Sequence, residues 1–205
     1  MPTILLIRHG ENDFVKKGIM PGRMPGIHLN DNGRAQAQAV AEKLRQAPIK
    51  AIYTSPLERA AETAEYLAKA LGQETIVRPG LMESDIGEWQ GRSHKSLRRL
   101  KVWRIVQSTP SLFRFPGGES FAECQARMVG EIEALRAQYE EKDIFVCVSH
   151  ADPIKLAVAY YLGLPLDLFQ RLFIAPASIT ALQVGQMGSY LLTLNYDLSF
   201  NLSKP

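Results

Sequence analysis

Ile4-Leu5-Leu6-Ile7 is a run of four bulky apolar residues without alternation, and it breaks at once into Arg8-His9-Gly10. Such a run reads as a short strand buried on both faces, which restricts the chain to sheets covered on both sides by helices. In open sheets of that kind, ligands bind at the carboxyl ends of the strands. A guanidinium and an imidazole delivered there, beside a glycine that lets backbone come close, suit an anion and a group able to do chemistry on it. Asp143 to Ser149 (DIFVCVS) reads as a second buried strand with His150 at its end. A third, Lys50 to Thr54, runs through Ser55-Pro56 into a helix whose first turn carries Arg59.

The rest of the pattern alternates strand and helix periodicity. Asn30 is placed to cap a helix through Gln36, Val40 and Leu44 that ends near Pro48. Ser55-Pro56 offers an N-cap and a proline at the first helical position, ahead of an apolar stripe from Leu57 to Leu71 that stops at Gly72. Thr75 to Val77 is a weaker strand. Ser120 opens a long helix with Phe121, Cys124, Met128, Ile132, Leu135 and Tyr139 at three- and four-residue spacing. A helix from about Asp152 to Leu162, a short one after Pro165, and strands over about 178–184 and 190–195 complete the chain. This order predicts a layered α/β domain.

Two stretches depart from the alternation. Residues 10 to 29 hold four glycines and two prolines, so they read as a long loop beside the candidate site. Residues 80 to 118 are the least regular part. They contain a basic amphipathic helix over about 93–107 with Lys95, Arg98, Arg99, Lys101 and Arg104, either a solvated face or a lid that attracts an anionic substrate. The 205 residues suit one domain, 1–205, with a small lid excursion at about 92–118.

Composition removes several classes. A net charge of +3 is too small to point to nucleic acid. Cys124 and Cys147 are the two cysteines; each sits in an apolar pattern without metal-ligand spacing, so neither a disulfide scaffold nor a metal site is expected. No apolar run approaches about 18 residues, and no signal segment is visible. The expected setting is the cytoplasm, away from membranes.

Arg8-His9-Gly10-Glu11 resembles the opening motif of the histidine phosphatase superfamily, which includes the phosphoglycerate mutases. Four further segments are similar to that family in the same order: Leu29 to Ala37, Thr54 to Ala64, the acidic loop Leu81 to Gly91, and Val148-Ser149-His150. The resemblance covers most of residues 3 to 160. It implies a three-layer α/β/α sandwich around a mostly parallel sheet, phosphoglycerate mutase-like, and an enzyme that needs no metal or cofactor. It implies that His9 attacks phosphorus and becomes phosphohistidine. Arg8, Arg59 and His150 then hold the phosphoryl oxygens, and Glu83 serves as general acid and base, with Asp85 and Glu88 as nearby alternatives. Asn12, Arg23 and Ala151 are further candidates for touching substrate.

Some positions depart from the family's pattern. Asn12 and Val15 stand where many members have threonine and asparagine, and Ala151 replaces the glycine that usually follows the second histidine. His28 and His94 have no match and read as ordinary loop or surface residues; Trp89 reads as packing. The first expectation is a phosphatase acting on a small phosphorylated metabolite. The alternatives are a phosphoglycerate mutase and a non-catalytic relative that binds a phosphate ligand. Only Arg92 to Pro116 separates the acidic loop from Gly117-Gly118-Glu119, a short lid that favours water access and hydrolysis. The terminal strand is an edge through which a homodimer can pair.

Overall fold

The computed structural model describes residues 1–185 and 187–198. One sheet contains β1 (Thr3–Arg8), β2 (Ile49–Thr54), β3 (Thr75–Val77), β4 (Ile144–Ser149), β5 (Ile179–Gly185) and β6 (Gly188–Tyr196), ordered β3-β2-β4-β1-β5-β6. Strands β1 to β4 run parallel; β5 is antiparallel to β1, and β6 to β5. The helices are α1 (Asp13–Lys16), α2 (Asp31–Leu44), α3 (Glu58–Leu71), α4 (His94–Leu97), α5 (Trp103–Ser108), α6 (Phe121–Arg136) and α7 (Ala151–Tyr161). The expected sandwich with a mostly parallel sheet is the observed one.

Strand alternation sorts the core into two layers. Ile4 and Leu6 of β1, with Phe145 and Cys147 of β4, pack against Met128, Ile132 and Leu135 of α6 and Ile154 and Val158 of α7. Ile7, Ile52, Val146 and Val148 face the other way, onto Val40 of α2 and Ala60, Ala64 and Leu67 of α3. Burying one such Leu or Ile contributes about 1.5–3 kcal/mol, so β1 and β4 are held from both sides. A third cluster lies beyond the sheet, where Trp89 stacks on Trp103 (centroids 6.1 Å apart, planes at 22°) among Phe113, Phe115, Phe121 and Phe169. It fastens the irregular segment after β3 to α6 and α7.

Register sets the site. Arg8 pairs with Ser149 and Thr54 with Val148, so β1, β2 and β4 end level. The ladder continues one step further: His9 N–H donates to Ser149 O at 3.0 Å and Ser55 N–H to Val148 O at 3.0 Å. His9, Ser55 and His150 therefore leave the sheet at one rim. That rim is the switch point of the fold, since the chain leaves β1 toward α2 on one face and leaves β4 into α7 on the other.

Local chemistry explains most element boundaries. The Asn30 side chain accepts from Gly33 N–H at the start of α2, and Ser120 and Glu123 form a reciprocal capping box on α6. Three expectations need correction. The basic helix over 93–107 is broken into α4 and α5. Leu97 and Val106 are both buried in the aromatic cluster, yet nine residues apart they would lie about 180° apart on a continuous helix. Cations at three- and four-residue spacing also repel on a helix face.

The second correction concerns Ser55-Pro56, which does not start α3. Leu57 is the N-cap, without a side-chain cap bond, and Ser55 Oγ accepts from Leu57 N–H at 3.3 Å while bonding to His150. Third, the loop over 10–29 contains α1, capped by Asn12, and is tied to the segment before α4 by an antiparallel bridge between Ile19 and Ser93. Among the described residues no helix is long and apolar enough to cross a membrane. The end of the expected 1–205 unit, residues 199–205, lies outside the described residues.

Candidate active site

The loop after β1 is shaped by close backbone contact. A Cβ on Gly10 would lie 2.5 Å from Gly33 O, and one on Gly33 only 1.9 Å from Glu11 O. The first turn of α2 thus rests directly on the Arg8-His9-Gly10 turn. Gln36 Oε1 accepts from Glu11 N–H at 2.8 Å, Asn30 Nδ2 donates to Glu11 Oε1 at 2.9 Å, and Gly10 N–H donates to Thr63 Oγ1 at 3.0 Å.

His9 is buried, and its two ring nitrogens have different partners. Nδ1 lies 2.7 Å from the Gly10 carbonyl, which can only accept, so Nδ1 carries the proton. Nε2 receives the Arg59 Nε–H at 3.3 Å, which agrees with a lone pair there. Burial first, then the charges of Arg59 and Arg8, hold the imidazole well below its ordinary value. His9 is therefore neutral, with its unprotonated nitrogen at Nε2. Arg59 is fully buried behind it, donating Nη2–H to Gly22 O at 2.7 Å, while Arg8 donates to Ile174 O at 2.6 Å.

His150 is the N-cap residue of α7. Its ring centroid is 5.1 Å from that of His9, with the planes at 62°. Nε2 is 2.8 Å from Ser55 Oγ, and Nδ1 is 4.0 Å from Glu83 Oε2. Burial, with Arg59 the largest of the charges around it, lowers the His150 imidazole well below its ordinary value too. The contact with Glu83 is consequently not an ion pair.

Glu83 keeps 18% of its side chain exposed, at the wall of the cleft. Desolvation there and the neighbouring Asp152 push it up to about 7, against the pull of Arg59 and Arg8. The loop that carries it is fixed from behind. Glu119 Oε1 accepts from Asp85 N–H at 2.9 Å and from Arg127 Nη2 at 2.7 Å, and Glu119 N–H donates to Asp85 O at 2.9 Å. Arg127 also donates to Gly80 O at 2.8 Å and Met82 O at 3.0 Å. A Cβ on Gly118 would lie 2.2 Å from Asp85 O, so the Gly117-Gly118-Glu119 turn can approach only as glycine.

A cleft of about 240 Å³ opens over these residues. Arg8, His9, Glu83 and Ala151 line it, with His150 and Arg59 buried beneath. Ala151 opens α7 without a left-handed backbone. Arg23 and Asn12 are not on the wall. Arg23 turns away, donating Nε–H to Glu83 O at 2.8 Å and lying 3.2 Å from Glu119 Oε1, so it props the acidic loop. Asn12 is buried, its Oδ1 accepting from Val15 N–H. Asp85 and Glu88 are outside the cleft lining, and His28 pairs with Glu62 at the surface. Trp89 is core.

Sequence reasoning missed four neighbours. Ser55, His94, Asp152 and Lys155 all belong to the site or its rim, the last two joined by a 3.3 Å ion pair. Asp152 and Lys155 follow His150 by two and five residues on α7, which was the available signal. His94 had none, because only tertiary folding brings it to the cleft.

Buried polar side chains are normally hydrogen-bonded. Among the described residues, Arg8 Nε, Asn12 Nδ2, Arg59 Nη1 and His150 Nδ1 are buried nitrogens without a partner. Three of them belong to Arg8, which lines the cleft with His9, and to Arg59 and His150, which pack against the His9 ring. Such donors suit an oxyanion, whose oxygens accept several charge-assisted bonds at once.

A family model described as histidine phosphatase superfamily (branch 1) matches residues 4–197. A 2,3-bisphosphoglycerate-dependent phosphoglycerate mutase from Thermoplasma acidophilum is 30% identical over 185 residues, 90% of this chain and 88% of its own. The solved structure of a mycobacterial glucosyl-3-phosphoglycerate phosphatase complexed with VO3 superposes with a TM-score of 0.86 at 28% identity, covering 95% of this chain and 99% of the other. A phosphoserine phosphatase from Entamoeba histolytica, solved with phosphoserine, gives 0.87 at 28% identity, covering 97% and 98%.

Proposed function

The chain belongs to the histidine phosphatase superfamily, branch 1, and on that premise we propose that it hydrolyses a small phosphomonoester through a phosphohistidine at His9, without calling on a metal ion. The observation that carries the proposal is the unprotonated Nε2 of neutral His9, held by Arg59 Nε–H, beside buried, unpartnered nitrogens of Arg8, Arg59 and His150. Little covalent chemistry is asked of a protein in phosphoryl transfer; positioning and charge stabilisation supply most of the rate. Two guanidiniums provide that charge.

In the first step the His9 Nε2 lone pair forms a bond to phosphorus as the bond to the ester oxygen breaks. The leaving alkoxide takes the proton of the Glu83 carboxyl, which at about 7 is protonated for much of the neutral range. We assign the Ser55 hydroxyl proton to His150 Nε2, 2.8 Å away, with Ser55 Oγ also accepting from Leu57 N–H. This leaves the ring proton of His150 on Nδ1 to donate to a phosphoryl oxygen. In the second step the Glu83 carboxylate accepts a proton from water, whose oxygen attacks phosphorus as the bond to Nε2 breaks. Inorganic phosphate leaves and His9 is restored.

The mutase reading is the second one, favoured by the Thermoplasma relative. It shares the first step and returns the phosphoryl group to another hydroxyl. Phosphate release from p-nitrophenyl phosphate, with acid-labile phosphate trapped on His9 and both lost in His9→Ala, tests the proposal. Rapid interconversion of 2- and 3-phosphoglycerate, stimulated by the bisphosphate and outpacing hydrolysis, would replace it with the mutase.

A further inference from the structure

His94 belongs to two surfaces. It lines the cleft above His9, and it also lines a larger adjoining groove of about 740 Å³ with Lys17, Ser93, Lys95, Arg98 and Arg99. The groove is built from two segments far apart in sequence. The antiparallel bridge between Ile19 and Ser93, Met20 N–H donating to Arg92 O at 2.9 Å, and His94 N–H donating to Gly18 O at 2.8 Å hold them side by side. Lys17 is thereby brought to the three cations around α4.

None of the groove's lining residues is acidic. Lys17, Lys95, Arg98 and Arg99 make no side-chain hydrogen bond or ion pair among the described residues. Most arginines elsewhere are paired, as Arg78 is with Glu131 and Arg127 with Glu119. A chain with a net charge of only +3 has therefore gathered four uncompensated cations beside its phosphate cleft. The His94 imidazole sits below its ordinary value, through partial desolvation and then the charge of Arg98, as expected beside a positive field. Mutual repulsion among Lys95, Arg98 and Arg99 disfavours a helix here, and a bound anion would offset it.

We infer that this groove is a second anion subsite, so that the substrate is a small metabolite whose leaving alcohol carries at least one further phosphate. The inference rests on the phosphatase reading above and names its substrate class. Phosphate suits the groove better than a single carboxylate, because two guanidinium forks and two ammonium groups match a dianion with several acceptor oxygens. The same field would steer a polyanion toward the cleft.

The test separates binding from turnover. In His9→Ala protein, calorimetry compares α,ω-alkanediol bisphosphates of increasing chain length with the matching monophosphates. At the length that spans cleft and groove, the bisphosphate should bind about tenfold or more tightly than its monophosphate, a gain of about 1.4 kcal/mol. That ratio should fall toward one in Arg98→Glu/Arg99→Glu, and fall in Lys17→Glu, which lies on a different segment. The inference is overturned if no bisphosphate binds better than its monophosphate, or if the advantage survives both variants. An acidic phosphopeptide that binds more tightly than every bisphosphate overturns the metabolite assignment. Hydrolysis of p-nitrophenyl phosphate by the unmodified enzyme reports separately on the phosphatase reading.

Discussion

His9 and His150 face each other at 5.1 Å between ring centroids, and the difference between them lies in their partners rather than their environment. Both are buried and held neutral by burial and the same two guanidiniums. The Gly10 carbonyl accepts the Nδ1 proton of one ring, whereas the Ser55 hydroxyl holds the other at Nε2. In the proposed cycle one ring thus offers a lone pair and the other a donor. Second-layer partners of this kind decide which tautomer acts.

Ser55→Ala should therefore impair catalysis without touching any group that contacts phosphate. Loss of one hydrogen bond costs about 1–1.5 kcal/mol, or about tenfold in kcat. Because the ring is then free to place its proton on either nitrogen, NMR of the His150 side chain should show a mixed tautomer. An unchanged kcat with a single tautomer would remove Ser55 from the mechanism.

Glu83 and Asp152 make a second prediction through pH. The raised Glu83 value of about 7 comes from desolvation and then from Asp152. Rising pH removes the acid needed in the first step, so kcat/KM for an alkyl phosphate should fall with an apparent pKa near 7. Arg8 and Arg59 oppose the shift; Asp152→Asn removes a charge that favours it. The alkaline limb should move to lower pH by about half a unit or more in that variant. A limb that stays in place would assign it to another group.

The same carboxyl predicts a dependence on the leaving group. Glu83→Gln should lower kcat/KM about 10²- to 10⁴-fold for alkyl phosphates, and far less for p-nitrophenyl phosphate, whose anion leaves unaided. Equal losses on both substrates, in steady-state assays at one pH, would show that Glu83 positions rather than protonates.

The sheet and the long helices were legible because their signals are local. Unbroken apolar runs mark β1 and β4, and Asn30 and Ser120 cap α2 and α6 through contacts within one turn. The convergence of His9, Arg8 and His150 was legible for a related reason: strands that end level must deliver their next residues to one rim. What escaped was decided by tertiary contacts. Ser55 has the residue type of an N-cap, yet its hydroxyl is claimed by His150 from β4. Arg23 reads as a candidate for touching substrate, whereas its side chain bonds to Glu119 and the Glu83 carbonyl. The basic helix breaks because Leu97 and Val106 are drawn into one aromatic cluster.

Gly33 offers the sharpest test of how the fold holds His9 in place. It lies in the first turn of α2, outside the cleft lining, but an added methyl would meet Glu11 O at 1.9 Å. Backbone cannot give way as a flexible side chain does, so either α2 or the Glu11 segment must shift. Overpacking of this sort costs about 1–3 kcal/mol, and each kcal/mol lowers Tm by about 2–4 °C at this chain length. Because Glu11 follows Gly10, whose carbonyl sets the His9 tautomer, Gly33→Ala should lose activity well beyond its loss of stability when assayed below Tm. Gly130, within α6 with open space around its Cβ position, is the matched control. Gly130→Ala should instead gain about 0.5–1 kcal/mol from helix propensity and keep full activity. If the two variants behave alike, the contact between α2 and the Arg8-His9-Gly10 turn does not position the nucleophile.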